Sequence, residues 1–570
     1  MSRIRPFAHR RFGFHRIRQI VLHRMPNGAV RMLTFLVAAV SLFPWHGAIS
    51  HVSAQEERLH VRIDRLIEAR AGGASAERAT DAEFLRRTYL DLVGRIPSAE
   101  EARSFLESTE ADKRGSLIDR LLADPRYADR MTDLFDVMLL ERRGANDEWI
   151  KYLRTAFAEN RPWDQMAREM LNPDAEDEAT RGAAYFFVVH LERYGQNPSD
   201  VPGMVRDVGR FFLGIDVQCA QCHDHLFVDE YKQVDYQGLY AFVGQTFIRK
   251  DKSFPAVGEN PLLTPVAFTS VFGGDEQRTG PRIPLGQEIA IPEIAKGDEY
   301  LEPPDRKAKT PGVLKFSPLK LLAETLPRGD NRLFARNIAN RLWWATMGRG
   351  LVDPLDMQHA DNLPSHPELL ETLADKIAAH GFDIRWALRE LMLSETYQRS
   401  SRLPDGLVPE TADAAAPMAS YRVALEKRLS DEQRLFSLLI ATGEWPRLSA
   451  DESKMSELRK RFEAALASPP QEPEVEVTPT VKAALFLSND AELLSWFEPR
   501  DGNLVDRASR LESPGAIADE LYVSLLSRPP TPDEVAEIEQ FLSGFGEARE
   551  KGIGYLAWAA AASTEFHVNH

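Results

Sequence analysis

Helical periodicity runs through most of this chain and is interrupted sharply at a few places. Between residues 81 and 106 apolar side chains recur at the spacing of an amphipathic helix, and residues 95–98, Arg-Ile-Pro-Ser, break that pattern. Ser98 and Glu101 have the spacing of a capping box, in which each side chain satisfies a backbone donor at the start of the new helix. These features predict a helix-turn-helix.

A similar segment occurs near the C-terminus. Residues 522–534 align with residues 89–101, and Thr531 and Glu534 take the places of the capping pair. Two interpretations stay open: an internal duplication, or convergence of two segments on a well-specified helix-turn-helix.

One stretch lacks the helical pattern altogether. From residue 250 to residue 318 prolines and glycines are frequent, which predicts a connector with some short extended segments. Ser365 and Glu368 predict a capping box at the start of a later helix, and Gly381 predicts its end. Helices are predicted again over residues 331–347, 367–380 and 384–397.

The first 54 residues differ in composition from the rest. They contain eight arginines and no acidic residue, and the apolar run over residues 32–43 is too short to span a bilayer comfortably. Residues 52–54, Val-Ser-Ala, suit a signal peptidase. We predict a signal peptide cleaved after Ala54 and an exported protein, periplasmic or at the cell surface. An uncleaved N-terminal membrane anchor is the alternative.

These patterns define the expected fold class, which is mainly α: two helical domains joined by a Pro/Gly-rich connector with minor β content. The predicted boundaries are residues 1–54 for the signal peptide, 55–250 for the N-terminal helical domain, 251–325 for the connector and 326–570 for the C-terminal helical domain.

The charge of the chain bounds its partners. Removing the eight leader arginines takes the formal net charge from −16 to −24, which excludes nucleic acid as an expected partner because phosphate binding needs a basic face. After Ala54 no apolar run approaches membrane length, so we expect no transmembrane segment after signal cleavage.

The only two cysteines lie in one short segment. Residues 219–223 read Cys-Ala-Gln-Cys-His, the spacing at which two sulfurs bond the two vinyl groups of a haem while the histidine ligates its iron. We therefore predict one covalent haem c per chain, with Cys219 and Cys222 as anchors and His223 as proximal ligand. A disulfide or redox dithiol is one alternative. Zinc held with the help of His225 is another, but the adjacent ligands are cramped for a tetrahedron.

The sixth ligand of such an iron is not evident from the sequence. His190 and Met204 are the nearest candidates, and each is also explained as an ordinary core or surface residue. If neither ligates, the iron is five-coordinate, which would allow small-ligand binding or peroxidase-like chemistry.

Familiar enzyme motifs are missing from the sequence. It contains no H-E-x-x-H, no G-x-S-x-G, no P-loop and no dinucleotide glycine fingerprint. We leave enzymatic activity uncertain and expect a protein that is not a conventional enzyme.

Several segments of the chain carry a resemblance to a known family: residues 212–214, 219–225 and 235–242, and then residues 331–343, 348–354, 364–370, 394–401, 427–430 and 565–570. Together they resemble the exported cytochrome-associated proteins abundant in planctomycetes. In that family a domain of unknown function with C-x-x-C-H-[DN]-H-P-F precedes a second domain of unknown function. This chain departs from it at Leu226, usually proline, and at Tyr231, near a usual tryptophan.

The resemblance implies a secreted, mostly helical protein that binds haem through this motif. The motif and the export signal together lead us to expect a protein that transfers electrons to a redox partner protein or senses redox state. It implies carbohydrate only by association, because relatives often carry carbohydrate-binding modules. The alternative is a non-catalytic secreted scaffold or binding protein with a Cys219–Cys222 disulfide. A polysaccharide hydrolase is a third hypothesis, although no carboxylate pair has an interpretable spacing. Polar positions to probe in the second domain, each also explained by a structural role, are Asn340, Arg341, Arg349, Ser365 and His366.

Overall fold

The computed structural model describes residues 57–192, 199–405, 417–470 and 481–570. The predicted signal peptide, residues 1–54, lies outside the described residues. Within them the fold is mainly α with minor β content, as predicted. Among the described helices, none is long and apolar enough to cross a lipid bilayer.

The helices fall on both sides of the connector. Before it lie α1 (Leu59–Glu68), α2 (Asp81–Val93), α3 (Ala99–Glu107), α4 (Lys113–Leu122), α5 (Pro125–Leu140), α6 (Asp147–Ala158), α7 (Trp163–Leu171), α8 (Tyr185–Leu191), α9 (Val201–Val208) and α10 (Gln233–Val243). The last residues of the predicted connector form α11 (Pro318–Thr325). After the connector lie α12 (Arg332–Met347), α13 (Pro367–Ala379), α14 (Ile384–Leu393), α15 (Asp431–Thr442), α16 (Trp445–Leu448), α17 (Glu452–Leu466), α18 (Val481–Asn489), α19 (Ala491–Ser495), α20 (Leu504–Ser509), α21 (Pro514–Leu526), α22 (Pro532–Ser543) and α23 (Arg549–Ala561).

Strands occur in the described residues only as short antiparallel pairs. Six of them, β1 to β6, lie in or beside the predicted connector, and the last pair joins the segment before α15 to residues near the C-terminus. The pairs are β1 (Thr246–Ile248) with β2 (Val257–Glu259), β3 (Val266–Phe268) with β4 (Gln277–Thr279), β5 (Tyr300–Glu302) with β6 (Val313–Leu314), and β7 (Lys427–Arg428) with β8 (Val568–Asn569).

The two helix-turn-helix segments form as the sequence predicts. Ser98 accepts a hydrogen bond from the Glu101 backbone, and the Glu101 side chain accepts one in return, so the capping box at the start of α3 is confirmed. Thr531 and Glu534 form the same box at the start of α22. The helix before each turn ends in a left-handed residue, which is Gly94 (φ 69°) in the first segment.

The helices predicted after the connector are present, with one error at a helix start. The predicted capping box of Ser365 and Glu368 is wrong, because the N-cap residue of α13 is His366 and it makes no side-chain capping bond. Ser365 instead donates its backbone N–H to the carbonyl of Leu351 at 2.8 Å. Gly381 follows the end of α13 with φ 65°, as predicted.

Two clusters of buried apolar side chains form the core. The larger cluster draws on helices from both sides of the connector: the ring of Trp163 stacks on Phe212 at 5.8 Å and on Phe334 at 6.4 Å between centroids. Burying such large aromatic surfaces contributes strongly to stability. The smaller cluster joins Leu90 and Ile96 to helices α15 to α23.

Long-range hydrogen bonds accompany the smaller cluster. Arg86 on α2 is fully buried, and it donates to the carbonyls of Phe566 at 2.7 Å and Leu525 at 3.2 Å. Asn569 on β8 donates its side-chain N–H to Asp91 Oδ1 at 2.7 Å. Helix α2 therefore depends on residues at the far end of the chain.

Candidate functional site

The cysteine-bearing segment follows a change of helix geometry. Helix α9 continues into a wider π-helical turn, Gly209–Leu213, and Gly214 then reverses the chain with φ 68°. A single 3₁₀ turn, Cys219–Gln221, follows. Both Cys219 and Cys222 are free thiols with exposed side chains, so each sulfur is accessible from solvent.

Two glutamines on α10 hold the backbone between the cysteines. Gln233 and Gln237 each donate a side-chain N–H to the carbonyl of Gln221 at 3.3 Å. From the connector side, the backbone N–H of Val271 donates to the carbonyl of Cys222 at 3.0 Å. The thiols are thus exposed while the backbone that carries them is anchored from two directions.

The tautomer of His223 follows from its contacts. Its Nδ1 lies 2.6 Å from the carbonyl oxygen of Asp224. Because a carbonyl only accepts, Nδ1 must carry the proton, which leaves the lone pair of Nε2 for a ligand. His225 has the opposite arrangement, since its Nδ1 accepts the backbone N–H of Val228 at 3.0 Å and so stabilises the loop.

Large apolar side chains stand exposed around this segment. Leu226 is 64 % exposed and Phe227 is 84 % exposed, and on the connector Val271 and Phe272 are exposed too. The ring of Phe272 lies 4.7 Å from the ring of His223. Exposed apolar side chains therefore occur on both sides of the cysteine-bearing segment.

The two candidate distal ligands are both buried. His190 accepts a hydrogen bond at Nδ1 from Arg143 at 2.9 Å, and its Nε2 lies 3.4 Å from Oδ2 of Asp207. Burial, with Arg143 nearby, holds the pKa of His190 well below its usual value. Met204 on α9 is fully enclosed in the larger core cluster. In the part of the chain that the structure describes, no three His, Cys, Asp or Glu side chains are arranged to hold a metal ion.

A separate cavity of about 640 Å³ lies where α5 and the π-helical turn face α12 and the loop after it. Asp356 stands in its wall and accepts a hydrogen bond from Arg210 Nε at 2.9 Å and another from Arg341. Arg210 also donates to Glu141, at 3.1 Å from Nη1. Burial opposes the charge of Arg341, and its pKa is lowered despite the carboxylate of Asp356.

A second ion pair lies in the same cavity wall. Lys427 on β7 donates to Asp91 Oδ1 at 2.6 Å and to the carbonyls of Ala345 at 3.1 Å and Thr346 at 2.9 Å. All three ammonium protons are therefore used. Burial lowers the pKa of Lys427, against the attraction of Asp91.

The polar positions singled out in the second domain divide into two groups. Arg341 and Arg349 line the cavity, whereas Asn340 exchanges two hydrogen bonds with the backbone of Val352, at 2.8 and 3.0 Å. His366 packs on the ring of Tyr421 at 5.6 Å, and burial lowers its pKa to about 4. Asn340, Ser365 and His366 thus have structural roles.

One loop connects the cavity with the cysteine-bearing segment. Its residues 353–356 line the cavity. Two residues further on, Gln358 donates its backbone N–H to Gly214 at 3.0 Å and accepts the hydroxyl of Tyr231 at its carbonyl, at 3.2 Å. The cavity and the cysteine-bearing segment are therefore linked through this loop.

Sequence reasoning missed most of the cavity. Asp356, Glu141 and Trp344 come from three separate segments, and no local pattern brings them together. The sequence analysis had identified only Arg341 and Arg349, as two of the polar positions to probe in the second domain.

The fold and these sites define a mainly α protein with an exposed pair of thiols and a large cavity lined by both charged and apolar side chains. Residues 62–247 match PSCyt2, a family described as a protein of unknown function (DUF1549), and residues 320–460 match PSD1, described likewise (DUF1553). The chain thus carries these two domains of unknown function in that order, as predicted. No curated protein and no solved structure matches the chain.

Proposed function

We propose that this chain binds one haem covalently through Cys219 and Cys222, with His223 as the proximal ligand, and that it transfers electrons or senses redox state outside the cytoplasm. The proposal rests on the exposure of the two thiols and on the position of the proton on the His223 imidazole. Both thiols are free and exposed, and the proton on Nδ1 of the histidine leaves Nε2 available.

The residues present fit such a group. A porphyrin is a broad apolar ring, and the exposed side chains of Leu226, Phe227 and Phe272 would cover part of it. The carbonyl of Asp224 would fix the orientation of the His223 imidazole, as second-shell acceptors do for metal-bound histidines. Bound iron would supply one-electron chemistry.

The sixth ligand of the iron, for which His190 and Met204 are the candidates, stays a prediction. His190 would ligate iron only by giving up its contact with Arg143 or Asp207, and Met204 would have to leave the core. Either change would expose buried polar or apolar groups, so neither residue would hold the iron in the described arrangement.

The test is haem attachment itself. The chain is expressed with its own N-terminal residues beside cytochrome c maturation factors, and a pyridine haemochrome spectrum and an intact mass are recorded. We expect a c-type spectrum and the added mass of one haem. The double variant Cys219→Ser/Cys222→Ser should carry none, and the exposed neighbour Gln218→Ala should carry it as the parent does. Haem-free parent protein under these conditions would refute the proposal.

The same mass spectrum tests the second candidate. Because both free thiols lie on one turn, they suit a small disulfide loop in a non-catalytic secreted binding protein. A mass lower by two hydrogens, with no porphyrin, would favour that function.

A further inference from the structure

The cavity has the volume of a ligand site. At about 640 Å³ it falls within the range of roughly 300–1,000 Å³ that small-molecule sites occupy. Its walls come from both matched regions, with Arg210 from the first and Asp356 from the second. It lies apart from the cysteines, and none of its lining residues belongs to their segment.

Most of the charged side chains that line the cavity form ion pairs within the protein. Arg210 pairs with Glu141, and Arg341 pairs with Asp356. The other two pairs are Arg349 with Asp353 at 2.7 Å and Lys427 with Asp91 at 2.6 Å. An anionic or cationic ligand would have to compete with an internal partner at every one of these pairs.

Two further carboxylates that line the cavity form ion pairs with arginines that do not line it. Asp133 pairs with Arg459 at 3.1 Å, and Glu432 pairs with Arg142 at 3.1 Å. The paired groups still have hydrogen-bonding capacity, because a carboxylate offers about four lone pairs and a guanidinium five N–H groups. Such a wall suits a neutral ligand that both donates and accepts hydrogen bonds.

One buried acceptor lacks a donor. Asn569 lines the cavity and is 2 % exposed. Its Nδ2 donates to Asp91, and its Oδ1 has no hydrogen-bond partner among the described residues. That oxygen is itself enclosed by protein atoms, so Asn569 holds Asp91 in the cavity wall and its Oδ1 is not a contact for a ligand.

The cavity also has an aromatic surface. Trp344 on α12 is half-buried and lines it, and no ring or hydrogen-bond partner of its indole occurs among the described residues. Leu134, Met138 and Leu355 continue the apolar surface. A ligand with one apolar face and a polar edge would use both kinds of wall.

We propose that this cavity binds an uncharged, hydroxyl-rich small molecule, namely a neutral sugar of one or two rings. The C–H face of the sugar stacks on Trp344. Its hydroxyls donate to the carboxylates of Asp353 and Asp356, and they accept from the guanidinium groups. The binding is reversible, requires no cofactor and does not depend on haem.

Binding is tested on the full chain by saturation-transfer difference NMR, with titrations to obtain the dissociation constants. The neutral probes are glucose, galactose, mannose, maltose and lactose, and the charged counterparts are glucuronate and glucosamine. We expect at least one neutral probe to bind at millimolar concentration, with the strongest transfer to its ring C–H protons, and to bind more tightly than either charged probe. If no neutral probe binds, or a charged one binds as tightly, the proposal is wrong.

Variants locate the site. Trp344→Ala should weaken binding of the positive probe by about tenfold or more, and Trp344→Phe should retain part of the affinity. The matched control is Trp386→Ala, which removes a half-buried indole outside the cavity and should bind as the parent does. Circular dichroism checks that each variant folds. If Trp344→Ala fails to fold, the affinity of Trp344→Phe and the comparison with the charged probes still test the proposal. Unchanged affinity in both Trp344 variants would overturn the assignment to this cavity.

Discussion

Arg210 and Asp356, 146 residues apart in the chain, join the two matched regions through a 2.9 Å hydrogen bond from Nε to Oδ2. Arg341 shares the same carboxylate, and Glu141 holds the other side of Arg210. A network of this kind is self-consistent only when both regions are folded against each other, because each group would otherwise be a buried charge without a partner.

Removing the central guanidinium should therefore be costly. We expect Arg210→Met to lower the free energy of unfolding by about 3–5 kcal/mol, since it leaves Glu141 and Asp207 buried with one partner fewer. Urea denaturation followed by circular dichroism measures the change. Arg349→Met, which breaks a half-exposed pair with Asp353, is the control and should cost about 1 kcal/mol or less. Equal losses would contradict the role given to the network.

The carboxyl of Asp136 predicts a dependence of stability on pH. Burial raises its pKa to about 7, although Trp149 donates a hydrogen bond to it at 2.8 Å. Because the folded pKa lies above the unfolded value, the folded state holds its proton longer, and this contribution to stability is lost as pH rises from about 4 to 7.

The variant Asp136→Asn keeps an acceptor for Trp149 and cannot ionise. It should be more stable than the parent above pH 7, by at most about 4 kcal/mol, and the difference should shrink toward pH 4. Unfolding free energies across this pH range provide the measurement. Asp361→Asn, at an exposed position, should follow the parent at every pH, and a pH-independent difference for Asp136→Asn would disprove the assignment.

The two capping boxes predict matched losses. Ser98→Ala and Thr531→Ala should each lower the free energy of unfolding by about 0.5–2 kcal/mol, because each leaves a donor at a helix start unsatisfied. Ser104→Ala, at an exposed position within α3, should change stability little. Thermal unfolding ranks the three variants, and a larger loss at Ser104 than at the caps would be inconsistent with the observed hydrogen bonds.

Thiol exposure can be tested without haem. In reduced, haem-free protein both cysteines should react with Ellman's reagent in the absence of denaturant, giving two thiols per chain. Cys219→Ser should leave one fast-reacting thiol. Reaction only after unfolding would show that the segment is closed in solution, and it would remove the main support for haem attachment to the folded surface.

Local features of the fold could be predicted from the sequence because they depend on neighbours. The capping boxes at Ser98 and Thr531 and the helix end at Gly381 are examples. The capping box at Ser365 failed because that backbone N–H bonds to Leu351, a contact between segments, although α13 begins at Pro367 as predicted. Short extended segments were predicted for the connector, but the pairing of the strands depends on turns that no periodicity reveals.

The candidate sites differ in the same way. The cysteine segment could be recognised because its chemistry lies in five consecutive residues, although the tautomer of His223 required the position of the Asp224 carbonyl. The cavity could not be recognised, because the partners of Arg341 and the open face of Trp344 are set by packing between distant helices. Arg341 itself was identified, but only as one polar position among several.

Arg86 makes the first region depend on residues that are synthesised last. Its guanidinium finds buried acceptors at Leu525 and at Phe566, the latter 480 residues further along the chain. Helix α2 therefore cannot complete its buried hydrogen bonds until residue 566 has been synthesised. A translation product cut short before Phe566 would leave the first region without its last hydrogen-bond acceptors.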